Sequence, residues 1–169
     1  RVVIIGGGVV GASILYHLSK LGCSDAIMLE RSELTSGSTW HAAGGIHTID
    51  SNPNVAKLQQ YTIKLYKEIE DLSGQDVGLH MTGGILLATT HERFDWLQSI
   101  CARGKYPGMD DLEIITPQRA HELMPLIDPK QFVGAMYDPI EGHVDPYGVT
   151  HAYAKAARKK GASYETHVM

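Results

Sequence analysis

The chain opens on a short β-branched apolar run, Arg1 to Ile5, and then breaks on three glycines. From Val9 to Leu21 apolar residues return at helical spacing, with Ile14, Leu15, Leu18 and Leu21 on one face. Ala26 to Glu30 reads as a second buried strand that ends in an acid. A longer amphipathic helix is predicted from about Asn54 to Ser73, where Val55, Leu58, Thr62, Leu65, Ile69 and Leu72 form one stripe. Asn52-Pro53-Asn54 supplies its start signal and Gly74 its stop. Past Val77 the segments shorten. Gly78 to Met81 and Gly84 to Thr89 read as strands around Thr82-Gly83, His91 to Ala102 as a helix, and Glu113 to Thr116 as a strand. Pro117 opens a short helix ending near Met124, and Phe132 to Tyr137 is a further strand. A last helix, Tyr147 to Lys160, leads into a strand from Ser163 to Val168.

This order predicts an α/β fold. Residues 1–75 and 146–169 supply the pieces of a Rossmann-type βαβ domain, incomplete within this chain. Residues 76–145 read as part of an α+β domain inserted into it. The 169 residues, 43% hydrophobic and 20% charged, suit a soluble globular chain. A net charge of −4 argues against a nucleic-acid surface, and no apolar run approaches the roughly 20 residues of a membrane span. Cys23 and Cys101 form no C-x-x-C pair, which indicates neither a zinc site nor a redox motif. The nine histidines are scattered, and a structural role is expected for His80, His143 and His151 rather than a metal or catalytic one. Beginning at Arg1 rather than Met, the chain is expected to lack its true N-terminus and any targeting peptide with it.

The first candidate chemistry lies at the opening turn. Gly6, Gly8 and Gly11 stand at G-x-G-x-x-G spacing between a strand and a helix, the arrangement that cradles a pyrophosphate on a helix N-terminus. Glu30 lies nineteen residues beyond Gly11, where a ribose-binding carboxylate is expected. These features suit NAD(P) and FAD equally. In an ordinary NAD-binding domain a helix and a third strand would follow promptly. Here residues 32–52 are instead rich in small and hydroxyl side chains. Within them, Gly37, Gly44 and Gly45 allow close backbone approach. Ser38 and Thr39 offer hydroxyls to a phosphate or ribityl chain, Ala42 and Ala43 leave room for a flat ring, and Trp40-His41 places a nucleophilic imidazole in the middle.

VVIIGGGVVGASILYHLSKLG (2–22), MLERSELTSGSTWHAAGG (28–45), KLYKEIEDLSGQDVGLHMTGGILLATT (64–90) and YDPIEGHVDPYGVTHAYAKAARKKGA (137–162) together carry a resemblance that covers nearly the whole chain. The chain resembles the FAD-dependent amine oxidoreductases of the D-amino-acid-oxidase superfamily, in the branch of dimethylglycine and sarcosine dehydrogenases and their bacterial relatives. The resemblance implies that the βαβ domain binds FAD and the inserted part belongs to a substrate domain. Glu30 and Arg31 match ribose- and adenine-side contacts, Val9 and Val10 backbone positions of the glycine turn, and Val168 a residue whose backbone meets the adenine. Gly37 to Gly45 matches the segment along the flavin, and His41 the histidine joined covalently to the 8α-methyl of the isoalloxazine.

The implied reaction is oxidation of an N-methyl amine, with a hydride equivalent passing to flavin N5. The resulting iminium is hydrolysed to formaldehyde or trapped by tetrahydrofolate. The implied electron acceptor is an electron-transfer flavoprotein or oxygen. The implied location is cytoplasmic in a bacterium and the mitochondrial matrix in a eukaryote. Catalytic residues, later FAD contacts and any folate-binding region are expected beyond Met169, so that the chain is an N-terminal fragment, inactive alone. A non-catalytic branch of the same fold, the regulatory subunit of pyruvate dehydrogenase phosphatase, lacks this histidine, so His41 favours catalysis. An NAD(P)-dependent dehydrogenase is the more distant alternative.

Overall fold

β-Branched residues hold Val2–Ile5 extended as strand β1, and the glycines after it release the chain into helix α1, Val9–Lys20. The computed structural model describes residues 1–50, 52–103 and 111–169. Further elements follow in order: Ala26–Leu29 (β2), a 3₁₀ turn at Ser38–His41, Gly45–Ile46 (β3), Pro53–Ser73 (α2) and Gly84–Ala88 (β4). Then come His91–Arg103 (α3), Glu113–Ile115 (β5), Pro117–Leu123 (α4), Gly134–Asp138 (β6), Gly142–His143 (β7), Pro146–Lys159 (α5) and Ser163–Glu165 (β8). The chain divides into two compact units: Arg1–Gly45 with Tyr61–His80 and His143–Met169, and Ile46–Gln60 with Met81–Gly142.

The first unit holds a parallel sheet in the order β1-β2-β8. Val2 lies opposite Ala26 and Ile5 opposite Leu29, while Ile27 lies opposite Ser163. The third parallel strand does arrive, but only after α5. Asp145 starts α5 by accepting from the N–H groups of Tyr147 and Gly148, both at 3.0 Å, with Pro146 in the first turn. Ala152, Ala156 and Ala157 are buried on α5, and side chains this small let it pack closely on α1. Gly22 ends α1 with a positive φ of 90°, and the Cys23 N–H reaches back to the Leu18 carbonyl at 2.9 Å.

The second unit is an antiparallel sheet in the order β4-β6-β5. Alternation along β6 divides its core. Ala135 joins Ile115, Ala120 and Phe132 on one face, and Met136 joins Ala88 and Leu97 on the other. Helix α4, capped by Thr116, whose hydroxyl accepts from the Arg119 N–H at 3.2 Å, contributes Ala120 to the first face. Helix α3 contributes Leu97 to the second.

Three local expectations need correction. The buried face of α1 is Gly11, Ala12, Leu15, Tyr16 and Ser19, while Leu21 is 84% exposed and Ile14 is also exposed. Packing on α5 selects a face of small residues plus Leu15 and Tyr16 over the more apolar one. On α2 the buried positions are Ala56, Ile63, Leu65 and Ile69, while Leu58 is 64% exposed and Val55 and Leu72 are exposed. Leu65 and Ile69 keep the expected stripe in this half of the helix, and beside them Tyr66 packs against Tyr153 of α5, with ring centroids 6.4 Å apart. Finally, residues 78–81 form no strand. His80 makes a single antiparallel bridge with His143, because Asp76 folds the chain into a turn by accepting from the Gly78 N–H at 2.7 Å.

Candidate dinucleotide site

The turn after β1 is built for backbone exposure. Gly6 takes φ 108°, a conformation that strains any other residue, and its N–H bonds the Leu29 carbonyl at 2.8 Å. Gly11 sits so close to the turn that a Cβ there would run into the Gly6 carbonyl oxygen. Helix α1 has no acid in its first turn and no local side-chain cap, so its N-terminal N–H groups face outward with the positive end of the dipole.

One of these N–H groups is claimed from thirty residues away: Val9 donates to Thr39 Oγ1 at 3.0 Å. Thr39 lies in the 3₁₀ turn at Ser38–His41. The bond therefore joins the glycine fingerprint to the small-residue stretch. Because Oγ1 accepts from Val9, the Thr39 hydroxyl hydrogen is left to donate elsewhere. A Cβ on Gly8 would lie 3.0 Å from the same oxygen. Thr39 and glycine at position 8 thus fit each other, and the helix start is left open for an anion.

Glu30 closes the other side. Its Oε2 accepts from the Gly7 N–H at 2.6 Å and its Oε1 from the Ser32 N–H at 2.8 Å. These backbone donors, Gly7 foremost, hold its carboxyl below the usual carboxylate range. A carboxylate has about four acceptor sites, so two remain for hydroxyls. A cleft of about 400 Å³ is lined by Ile5, Gly6, Leu29, Glu30, Arg31, Val168 and Met169. Val168 is fixed there by its N–H on the Glu30 carbonyl at 3.0 Å. Gly6, Glu30, Arg31 and Val168, four of the residues expected at the adenosine end, are thus brought to one cleft.

The remaining residues lie along the chain from the Thr39 bond. Gly37, Ser38, Trp40, His41, Ala42, Ala43 and Gly45 are exposed, as is Val10 in α1. Gly44 takes φ 76°, and its carbonyl accepts from the Val144 N–H at 2.9 Å. Of the histidines set aside, His80 and His143 face each other with ring centroids 5.0 Å apart, and His151 stacks on Tyr147 at 4.2 Å. Among the described residues no three metal-ligating side chains gather.

Sequence reasoning missed Gly7, Leu34 and Thr35. A Cβ on Gly7 would lie 2.7 Å from Leu34 Cδ2 and 2.9 Å from Glu30 Cβ. Thr35 donates its N–H to the Gly7 carbonyl at 3.1 Å from a left-handed φ of 74°, a strained state for a β-branched residue. The middle glycine of the Gly6-Gly7-Gly8 run was the available signal, since the fingerprint itself does not ask for it.

A parallel βαβ sheet with a bare helix N-terminus, an acid at the end of β2 and an adjacent cleft defines a dinucleotide-binding protein. The family described as FAD dependent oxidoreductase (DAO) matches residues 1–168, and the chain belongs to it. This decides for FAD over NAD(P). Dimethylglycine dehydrogenase of Rattus norvegicus is 46% identical over 159 residues, which cover 94% of this chain and 18% of the relative. The pyruvate dehydrogenase phosphatase regulatory subunit of Mus musculus is 40% identical over 161 residues, covering 95% of this chain and 18% of the relative. The crystal structure of L-proline dehydrogenase from P. horikoshii superposes with a TM-score of 0.88 at 27% identity, over 99% of this chain and 44% of that one. The chain therefore spans about 18% of the length of these curated relatives.

Proposed function

We propose that the protein oxidises an N-methyl amine such as dimethylglycine or sarcosine, with residues 1–75 and 146–169 binding FAD and residues 76–145 belonging to the substrate side. The observation that carries this reading is the Val9 N–H bond to Thr39 Oγ1 at 3.0 Å, which ties the phosphate-binding turn to the stretch that bears His41. FAD, when bound, supplies the acceptor for the hydride equivalent. The chain's own residues hold it. The N–H groups of Val10 and Gly11 and the hydroxyl of Thr39 meet the pyrophosphate, and Glu30 meets the ribose through its remaining lone pairs. Arg31 and the Val168 backbone flank the adenine. Gly37, Ser38 and Trp40 to Gly45 line the flavin, and His41, exposed and unburdened by a partner side chain among the described residues, carries the covalent link to it. A covalent link would fix the ring and strengthen it as an oxidant.

Tetrahydrofolate is the proposed trap for the one-carbon product, and an electron-transfer flavoprotein or oxygen the proposed electron acceptor. The proposed location is the mitochondrial matrix in a eukaryote, where the relatives' names say mitochondrial, and the cytoplasm in a bacterium. Among the described residues no helix is long and apolar enough to cross a membrane.

The test is to purify the full-length protein, denature it in acid and follow the yellow colour. Colour should stay with the polypeptide and leave it in His41→Ala. Release of free FAD from the wild type would sink the covalent link. Bleaching of the flavin is then followed with dimethylglycine, sarcosine and other N-methyl amines. A second reading, a non-catalytic regulatory flavoprotein, is supported by the 40% identity to the phosphatase regulatory subunit. Flavin that no amine bleaches would favour it.

A further inference from the structure

The parallel ladder between β2 and β8 breaks just past Glu30. Leu29 lies opposite Glu165, and the Glu30 N–H bonds the Glu165 carbonyl at 2.9 Å. A regular parallel strand would next bring the His167 N–H to the Glu30 carbonyl. That carbonyl receives the Val168 N–H instead, at 3.0 Å, and the His167 N–H turns to the Ser32 carbonyl at 3.3 Å. One extra residue is thus fitted in, a bulge that ends the strand. The bulge falls on His167, which takes a left-handed φ of 60°. Glycine adopts that conformation freely, whereas a residue with a Cβ is strained in it. Because of the bulge, the residue bonded to Glu30 and set in the cleft is the apolar Val168 and not the imidazole of His167.

The His167 side chain offsets this strain. Its Nε2 donates to Glu33 Oε1 at 2.9 Å, a bond that joins segments 134 residues apart in the sequence. Glu33 stands in the turn that follows β2, and its own carbonyl accepts from the Ser36 N–H at 3.2 Å. Thr35, two residues beyond Glu33, is the other non-glycine residue with a positive φ among the described residues. Both strained backbones therefore meet the same turn, beside the cleft that Glu30, Arg31 and Val168 line. Strain that surrounding bonds hold in place next to a cleft points to a use for the geometry it maintains.

We propose that the His167–Glu33 bond is a latch that positions the adenosine end of the dinucleotide site. It keeps the bulge closed and so holds Val168 at the cleft wall. The inference rests on the reading that this cleft takes the adenosine of FAD. His167 and Glu33 are positioning residues in this account, acting on the nucleotide through Val168. Both lie in the first unit with the cleft they serve. The bond is between exposed side chains, so its effect is local and modest.

The test uses the full-length apoprotein and two readouts, amide-resolved hydrogen exchange and calorimetric titration with ADP, which carries the adenosine end of FAD without the flavin. The Val168 N–H should exchange roughly two- to fivefold faster in His167→Ala and in Glu33→Ala, the range of an exposed charged pair. The double variant should exchange no faster than the faster single one, since each change removes the same bond. The Val9 N–H, in the phosphate-binding turn, should keep its wild-type rate. ADP should bind roughly two- to fivefold more weakly in both single variants. Wild-type exchange at Val168, equal acceleration at Val9, or unchanged ADP affinity in the face of faster Val168 exchange overturns the proposal. Glu33→Ala leaves the backbone of residue 167 untouched and decides the matter if His167→Ala fails to fold. A wild-type protein that binds no ADP, with the exchange pattern intact, would instead sink the reading of the cleft as an adenosine site.

Discussion

Replacing Thr39 by valine isolates the bond that joins the two halves of the candidate site. Valine keeps the shape of the side chain and removes only the oxygen that accepts from Val9 at 3.0 Å. The Val9 N–H is half-buried, so water replaces the lost acceptor in part. The cost is then close to that of one neutral hydrogen bond, about 1 kcal/mol, and reaches about 2 kcal/mol if water is kept out, the upper range for losing a helix cap. With a factor of ten for every 1.4 kcal/mol, these correspond to roughly fivefold and roughly thirtyfold in a local opening equilibrium. Amide-resolved hydrogen exchange on the full-length apoprotein reads this directly. Val9 should exchange at least about fivefold faster in Thr39→Val. Thr39→Ser, which keeps the hydroxyl, should restore protection. The Ala12 N–H, bonded to the Gly8 carbonyl at 3.0 Å, serves as the control one turn on. If the Thr39 hydroxyl also donates to phosphate, the first, non-covalent capture of FAD should weaken by roughly tenfold or more, the worth of a charge-assisted bond. Unchanged Val9 exchange in Thr39→Val, or equal loss in Thr39→Ser, would refute the cap.

Two further changes probe the groups around it. Glu30 has its carboxyl held down by the Gly7 and Ser32 N–H groups, so its stabilising contribution is present above the unfolded value of about 4.3 and is lost as pH falls through the lower folded value. Glu30→Gln should therefore flatten the acid limb of a denaturant-midpoint titration, and parallel limbs for the two proteins would contradict this. Tyr16 is fully buried, and no partner reaches its hydroxyl among the described residues. Tyr16→Phe should thus be neutral or stabilising by up to about 1 kcal/mol in the denaturant midpoint. A loss above about 1.5 kcal/mol would mean that the hydroxyl has a partner after all.

Much of the first unit was legible because its signals are local. β-Branched residues before glycines make a strand that stops, and the last helix was expected from Tyr147, one residue after its start at Pro146. The faces of α1 and α2 were not legible. Both helices carry apolar residues on more than one side, and only their partners choose among them. Leu58 belongs to a convincing stripe and is still 64% exposed, while Ile63, outside that stripe, is buried. Gly7 shows as an extra glycine in the sequence, but its role does not. Its lack of a side chain matters only once Leu34 folds back to within 2.7 Å of where a Cβ would stand.

The two glutamates show where composition stops being informative about a site. Each follows a strand, and each was open to a solvated, uninteresting reading. Glu30 was singled out because a motif assigns an acid to that distance from the glycines, and the structure gives its charge two backbone donors. No motif marks Glu141. Its buried carboxyl, with Oε2 3.3 Å from His47 Nδ1, takes its character from features far apart in the chain: no side chain at Gly84, no backbone donor among the described residues, and burial that the imidazole offsets and the Asp138 carboxylate reinforces. A carboxylate fixed by amides resists protonation and is suited to holding a neutral ribose hydroxyl. A carboxyl that meets one titratable ring is suited to gaining and losing a proton. The same residue type is therefore held in its charged form in one unit and pushed towards its neutral form in the other. The distinction lies in which donors the fold delivers, a tertiary property that no local pattern encodes.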